Sequence, residues 1–381
     1  MKNILVIFGT RPEAIKLAPL IIALRNLSGI SVTVCNTEQQ KELSNQTLDY
    51  FHIKADIKLD AMSCNQTLQE LQPRLMRLLS NVFAEKKYDA VIVQGDTMTV
   101  FSGALSAFFH SVPVYHIEAG LRSYDLHEPF PEEALRQMVT RITDLHFAPT
   151  EIAAQNLKHE NVDGSHIHVT GNTVIDALHC LPLDVQKQAQ ESLKKKKICI
   201  NDSMVLVTVH RRENLVEIGD ATRTPMRLIS ILKAIKHLAE TYKDHQFILP
   251  VHPNPNVRTR VYETLSEMSN VILTEPMIYP ELVEVMKHAK LILTDSGGIQ
   301  EEAPSFGVPL LVMRYETERM EGVHAGFSKL VGADTELIIQ EAVSVLSQTY
   351  DATRIRNREN PYGDGHACDR IIQAIGHHLS L

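Results

Sequence analysis

Apolar positions along the chain fall into two alternating patterns. Short, mostly apolar runs occur at Ile4 to Phe8, Ala90 to Val93, Val112 to His116 and His146 to Ala148. They recur at Val205 to Val209, Phe247 to Val251, Leu291 to Thr294 and Pro309 to Met313. Runs of this kind, without apolar/polar alternation, suit strands covered on both faces. Between them lie segments of helical period, such as Leu17, Leu20, Ile21 and Leu24. The alternation predicts an α/β protein with two doubly wound parallel sheets, hence two Rossmann-like domains.

A chain of 381 residues is long for one core, which supports two domains. The expected division is 1–172, 173–365 and a final helical segment 366–381 packing back on the first domain. A polar stretch from Gln186 to Lys197, ending in four lysines, fits a solvated helix end near that division. The net charge of -8 disfavours a nucleic-acid partner, while leaving room for a phosphorylated small molecule held by a few local cations. The cysteines Cys35, Cys64, Cys180, Cys199 and Cys368 are dispersed and form no Cys-x-x-Cys pair, so neither a disulfide framework nor a zinc site is indicated. No apolar run reaches membrane length, and a cytoplasmic location is the expectation.

Ligands of open parallel sheets bind beyond the C-terminal strand ends, and polar residues collect there. After the first run comes Gly9-Thr10-Arg11-Pro12-Glu13, with Lys16 one turn later; Gly9 suits a tight turn and Pro12 a helix start, a place favourable to anions. Gln94-Gly95-Asp96-Thr97 and His116-Ile117-Glu118 follow the next apolar runs, and Glu128-Pro129-Phe130-Pro131-Glu132-Glu133 opens a helix. Three successive units thus each bring a carboxylate to one rim: Asp96, Glu118 and Glu132. In the second half, His210-Arg211-Arg212-Glu213-Asn214 and His252-Pro253-Asn254-Pro255 follow strands, as does Asp295-Ser296-Gly297-Gly298-Ile299-Gln300-Glu301-Glu302. The Ser-Gly-Gly turn into a helix exposes backbone N–H groups suited to phosphate, and Glu302 lies one turn in, within reach of a ribose. Arg314, Glu316, Glu318 and Arg319 follow the last run. His166 and His168 alternate like surface residues of an edge strand, and nothing in the spacing calls for a metal.

Gly9 to Lys16, Gln94 to Thr97, His116 to Arg122, Pro129 to Glu133, His210 to Asn214, Asp295 to Ala303 and Asn360 to Gly365 together resemble, in order and over nearly the whole chain, the non-hydrolysing UDP-N-acetylglucosamine 2-epimerases. That resemblance implies a GT-B-like pair of Rossmann-like domains facing a central cleft, and a homodimer. It also implies that Asp96, Glu118, Glu132 and His210 are catalytic. Arg11, Lys16, His210 and Arg319 would surround the diphosphate, and Ser296, Gly297 and Gly298 would bind phosphate. Glu302 would hold the ribose, and Met277, Tyr279 and Leu282 the uracil. The chain departs from the family pattern at Glu38, Gln40 and Asn65, in a region where bacterial members hold a second, activating nucleotide-sugar. It also departs at Leu135, Met320 and Phe327.

The implied reaction interconverts UDP-N-acetylglucosamine and UDP-N-acetylmannosamine by loss and re-addition of UDP through a 2-acetamidoglucal. Inversion at C2 needs acid/base groups on both faces of the ring, which accounts for more than one carboxylate. The leaving diphosphate needs cations. The route has no net redox step and so implies no cofactor. The alternatives are a hydrolysing epimerase that releases N-acetylmannosamine, and a GT-B glycosyltransferase.

Overall fold

The computed structural model describes residues 1–63, 66–127, 129–210, 214, 226–347 and 358–380. The chain divides into two compact units, Met1–Leu181 with Tyr362–Leu381, and Pro182–Pro361. The unit boundary therefore lies past the expected residue 172, because the helix over Thr173–Cys180 packs on the first unit. The return falls at Tyr362, ahead of the expected 366.

The first unit holds strands β1 (Lys2–Phe8), β2 (Ile30–Asn36), β3 (Ile57–Lys58), β4 (Ala90–Gln94), β5 (Val114–Ile117), β6 (Leu145–Ala148) and β7 (Ile167–Val169). All pair in parallel, in the order β3-β2-β1-β4-β5-β6-β7. Its helices are α1 (Arg11–Arg25), α2 (Lys41–Tyr50), α3 (Leu68–Glu85), α4 (Met98–Phe109), α5 (Glu132–Thr140), α6 (Glu151–His159) and α7 (Thr173–Cys180). Ile4 to Phe8 are fully buried, as a central strand covered on both faces requires. Leu5, Ile7, Val91 and Val93 pack under Leu71, Leu75 and Leu79 of α3 and Val100 and Ala104 of α4. The pleat turns Ile4, Val6 and Phe8 to the opposite face. The histidine-bearing β7 is an edge strand, with His168 stacked on Phe147.

The second unit holds β8 (Met204–Thr208), β9 (Gln246–Pro250), β10 (Val271–Thr274), β11 (Ala289–Thr294), β12 (Leu310–Val312) and β13 (Ser328–Leu330). They too are parallel, in the order β10-β9-β8-β11-β12-β13. Its helices are α8 (Leu183–Lys195), α9 (Met226–Thr241), α10 (Pro255–Leu265), α11 (Tyr279–His288), α12 (Gly297–Glu302), α13 (Met320–His324) and α14 (Thr335–Leu346). Val205, Val207, Phe247, Leu249, Leu291 and Leu293 form one core with Ile231, Ile235 and Leu238 of α9 and Ile338 and Ala342 of α14. The chain then returns to the first unit as α15 (Ala367–His378), which packs on α1 and α7.

Both sheets have the doubly wound order, which reverses beside the first strand of each unit. The reversal falls between β1 and β4 in the first unit and between β8 and β11 in the second. The residues leaving those four strands are Gly9 to Arg11, Gln94 to Thr97, Val209 and His210, and Asp295 to Gly298. Among the described residues, no helix is long and apolar enough to cross a membrane.

Candidate active site

The first unit's rim is built around buried carboxylates, each matched to its own donors. Glu13, in the first turn of α1, accepts from the backbone N–H groups of Gly9 (2.7 Å) and Thr10 (3.1 Å) and from Thr97 Oγ1 (2.5 Å). Burial pushes its carboxyl above the usual range, and these hydrogen bonds pull it back. Glu13 thereby ties the loop that presents Arg11 to the loop that presents Asp96. Gly9 is required by crowding rather than by turn conformation. A Cβ there would lie 2.1 Å from Thr37 Oγ1 and 2.7 Å from Thr99 Oγ1, so any side chain would split the contact between β1 and its neighbouring loops.

Asp96 leaves β4 with its side chain 26% exposed and forms a 2.6 Å ion pair with the buried Arg136 of α5. The neighbouring Glu133 is fully buried. It forms an ion pair with Arg136 (3.2 Å) and accepts from the backbone N–H groups of Ser123 (3.0 Å) and Tyr124 (3.2 Å), so it anchors the segment after β5. Glu132 opens α5, half-buried.

Glu118 leaves β5 in the left-handed backbone region (φ 66°), uncommon for a residue with a side chain. Its two oxygens accept from Lys16 Nζ at 2.7 and 2.6 Å, and Gln94 Nε2 donates to it by a short hydrogen bond. Lys16, expected among the phosphate-binding residues, is thus placed against a catalytic candidate. Two residues earlier, within β5, is His116, whose Nε2–H donates to the Gly95 carbonyl (2.7 Å). Burial lowers the His116 pKa to about 4 and that of His146, its partner across the sheet, to about 3.

The loop after β2 closes on this rim. Gln40 donates its N–H to the Gly9 carbonyl (2.6 Å) and accepts from the Arg11 N–H (3.0 Å). Glu38 is buried at φ 61° and accepts from Asn45 (2.8 Å), and Gln39 accepts from Thr99 Oγ1 (2.7 Å). The departures from the family pattern at Glu38 and Gln40 therefore take part in the loop's own hydrogen bonding.

The second unit's rim centres on Asp295, which is fully buried at the end of β11. It accepts from the His210 backbone N–H (3.1 Å) and from Asn214 Nδ2 (3.0 Å), and His210 Nδ1 lies 3.0 Å from one of its oxygens. This contact sets the Nδ1 edge of the imidazole against Asp295, with Nε2 on the opposite side of the ring. The His210 side chain is 46% exposed. Thr208 and Thr294 join the two strand ends through a 2.6 Å hydroxyl contact. Asn254 N–H donates to His252 Nδ1 (3.2 Å) on the adjacent strand end.

Ser296 precedes the first residue of α12, and Arg319 lies across Gly297: a Cβ on Gly297 would come within 2.8 Å of Arg319 Cζ. The guanidinium is held by Glu301 at 2.9 Å and by a short contact to Glu318, whose other oxygen takes Arg314 at 3.0 Å. Gly298 has no such neighbour, the nearest being Glu302 Oε1 at 3.6 Å. Glu302, Met277 and Tyr279 are buried, and Leu282 is half-buried in the first turn of α11.

The structure thus gathers Arg11, Lys16, Asp96, Glu118 and Glu132 on the first unit's rim. It gathers His210, Ser296, Gly297, Gly298, Glu302 and Arg319 on the second's. Asn65, Cys64, Glu128 and Arg211 to Glu213 lie outside the described residues. Sequence reasoning named the rim carboxylates but missed the positioning partners Glu13, Arg136 and Asp295. The latter stands in the quoted Asp-Ser-Gly-Gly run, where its place at a strand end was the available signal.

The sequence matches the family described as UDP-N-acetylglucosamine 2-epimerase over residues 22–376. A UDP-N-acetylglucosamine 2-epimerase of Escherichia coli (strain K12) is 45% identical over 381 residues, which covers 98% of this chain and 98% of the relative. The UDP-GlcNAc 2-epimerase from Neisseria meningitidis, solved bound to UDP-GlcNAc, superposes with a TM-score of 0.89 at 43% identity over 98% of this chain and 99% of that one. The Methanocaldococcus jannaschii UDP-GlcNAc 2-epimerase, solved in complex with UDP-GlcNAc and UDP, gives a TM-score of 0.83 at 34% identity over 99% and 100% of the two chains. With its two parallel α/β units and these full-length matches, the chain belongs to the UDP-N-acetylglucosamine 2-epimerase family of isomerases.

Proposed function

We propose that this chain interconverts UDP-N-acetylglucosamine and UDP-N-acetylmannosamine by eliminating UDP and adding it back, without releasing free sugar. The observation that carries the mechanism is the pair of neighbouring strand ends in the first unit. There, Asp96 and Glu118 each stand beside a separate buried cation, Arg136 and Lys16. Two carboxylates with different surroundings can divide the work of proton transfer and stabilisation of the developing cation.

In this reading the C1–O bond breaks as the C2 proton is taken, giving a 2-acetamidoglucal and UDP. A proton then reaches the opposite face of C2, and the diphosphate oxygen re-forms the bond at C1. Asp96, the more exposed of the two, meets the ring directly, with Glu132 sharing the second proton transfer. Glu118 lends negative charge to the developing oxocarbenium, as carboxylates do in glycoside cleavage. For the diphosphate, the first unit offers Arg11 and Lys16, and the second offers His210, Arg319 and the backbone of Ser296 to Gly298. Glu302 takes the ribose; Met277, Tyr279 and Leu282 take the base. The dispersed cysteines suit a reducing cytoplasm. The same reading has the chain acting as a homodimer that supplies precursor for bacterial surface polysaccharide.

Incubation with UDP-N-acetylglucosamine in heavy water, followed by NMR, is expected to show both epimers of the nucleotide-sugar with deuterium at C2. Retention of the original hydrogen overturns the elimination route. Accumulation of free N-acetylmannosamine overturns the non-hydrolysing assignment.

A further inference from the structure

The lysine run at Lys194 to Lys197 fits a solvated helix end at three of its four positions, but not at Lys196. Lys194, Lys195 and Lys197 are exposed. Lys196 turns inward, and its Nζ donates to both oxygens of Glu281 at 2.7 and 2.6 Å. Ser192 Oγ, one helical turn earlier, donates to the same carboxylate at 2.6 Å. Glu281 is almost fully buried (1% exposed), so it sits where a carboxylate survives only with matched donors. One turn further along α11, the buried Glu284 accepts from Gln190 Nε2 at 3.0 Å. These bonds lace α8 to α11 along their shared face.

The position of Glu281 gives the lacing its meaning. It occupies the first turn of α11, two residues after Tyr279 and next to Leu282. The negative charge suits the positive end of the helix, and the contacts to α8 fix where that first turn sits over the sheet. Tyr279, Leu282 and the preceding Met277 are the residues assigned to the base. In this unit the residues proposed for the diphosphate lie on other elements, at the start of α12 and at Arg319.

We propose that Lys196 and Ser192, acting through Glu281, are positioning residues for the base-recognising end of α11 and so set affinity for the uridine nucleotide without taking part in catalysis. This rests on the proposed function above. Lys196→Met removes the cation from a position that is one-third exposed and leaves Ser192 donating to the buried Glu281 carboxylate. In a steady-state assay with UDP-N-acetylglucosamine, Lys196→Met is expected to raise KM by roughly five- to twentyfold and leave kcat within about twofold. It is also expected to narrow the preference for UDP over ADP measured by calorimetry. Lys196→Arg, which can still pair with Glu281, is expected to restore most of the loss. Ser192→Ala is expected to show a smaller change in the same direction and serves as the second variant if Lys196→Met does not fold. Unchanged KM and unchanged nucleotide preference, or a fall in kcat at constant KM, overturns the proposal. A wild-type chain that does not turn over UDP-N-acetylglucosamine overturns the proposed function itself.

Discussion

Replacing Lys16 with methionine asks whether the Glu118 carboxylate depends on its buried cation. The two side chains are 9% and 6% exposed, and the closest N–O distance is 2.6 Å. At an effective dielectric constant of about 20, unit charges about 3 Å apart attract by about 5 kcal/mol. Desolvation of both groups cancels much of that, so the intact pair adds little net stability. Removing one partner is different, because it strands a buried charge, at a typical cost of about 3–5 kcal/mol. Lys16→Met is therefore expected to destabilise the first unit by about 3 kcal/mol, and Glu118→Gln by about 2–3 kcal/mol. The double variant, which leaves no buried charge, is expected to lose at least about 2 kcal/mol less than the sum of the two. Native-state hydrogen exchange of the β1 and β5 amides reads this unit directly. If the single losses add to within about 0.5 kcal/mol, the pair carries no coupling and the reasoning is refuted.

Two further outcomes follow from the same accounting of buried groups. Burial holds His116 at about 4 and His146 at about 3, below the ordinary 6.5, so the folded first unit binds fewer protons than the unfolded chain between those values. Its stability contribution is complete above pH 6.5 and is lost as pH falls toward 4. Denaturation at pH 7 and pH 4.5 is expected to show a loss on the order of 2 kcal/mol per histidine, reduced in His116→Asn; equal stability at both pH values refutes it. In the second unit, Gly297→Ala places a Cβ 2.8 Å from Arg319 Cζ, and that guanidinium is pinned by Glu301 and Glu318. Displacing it is expected to cost about 2 kcal/mol of stability and at least tenfold in UDP affinity. Gly298→Ala, with its nearest neighbour at 3.6 Å, is expected to keep stability; equal melting temperatures for the two variants contradict this.

The legible part of the fold was its buried middle. The middles of β1 (Ile4 to Phe8), β4 (Ala90 to Val93), β8 (Met204 to Val207) and β11 (Leu291 to Leu293) are apolar because both faces are covered, and such runs stand out against helical periodicity. β2 carries polar Ser31 and Thr33 among its apolar residues, and β3, β10 and β13 are short or half-exposed, so their sequences carry little signal. The rim residues were legible for a related reason: polar residues that directly follow a buried strand need an explanation, and ligand contact is one. Their partners were not legible. Lys16 meets Glu118 across 102 positions, and Lys196 meets Glu281 across 85. No local spacing encodes such pairings; the order of strands in the sheets does. The reading of all four lysines as solvated failed at Lys196 because successive positions at the end of α8 turn by about 100°, which leaves Lys195 and Lys197 exposed and brings Lys196 against Glu281 of α11.

The return of α15 to the first unit has a consequence for how the protein is made. The Tyr362 carbonyl accepts from the Asn172 N–H (2.7 Å), and Asp176 accepts from the N–H groups of Ala367 (3.2 Å) and Cys368 (2.8 Å). Arg370 donates to the Thr170 carbonyl (2.9 Å), and the Tyr115 hydroxyl bonds His378 (2.8 Å). None of these bonds exists while the ribosome is still producing Pro182–Pro361. At about 5–20 residues per second, that interval lasts on the order of ten to forty seconds. The unit begun first is thus finished second, and it waits with α1 and α7 uncovered where α15 will lie. A nascent chain paused within the second unit should offer that apolar strip to chaperones, and its first unit should gain protease resistance only after Tyr362–Leu381 has emerged.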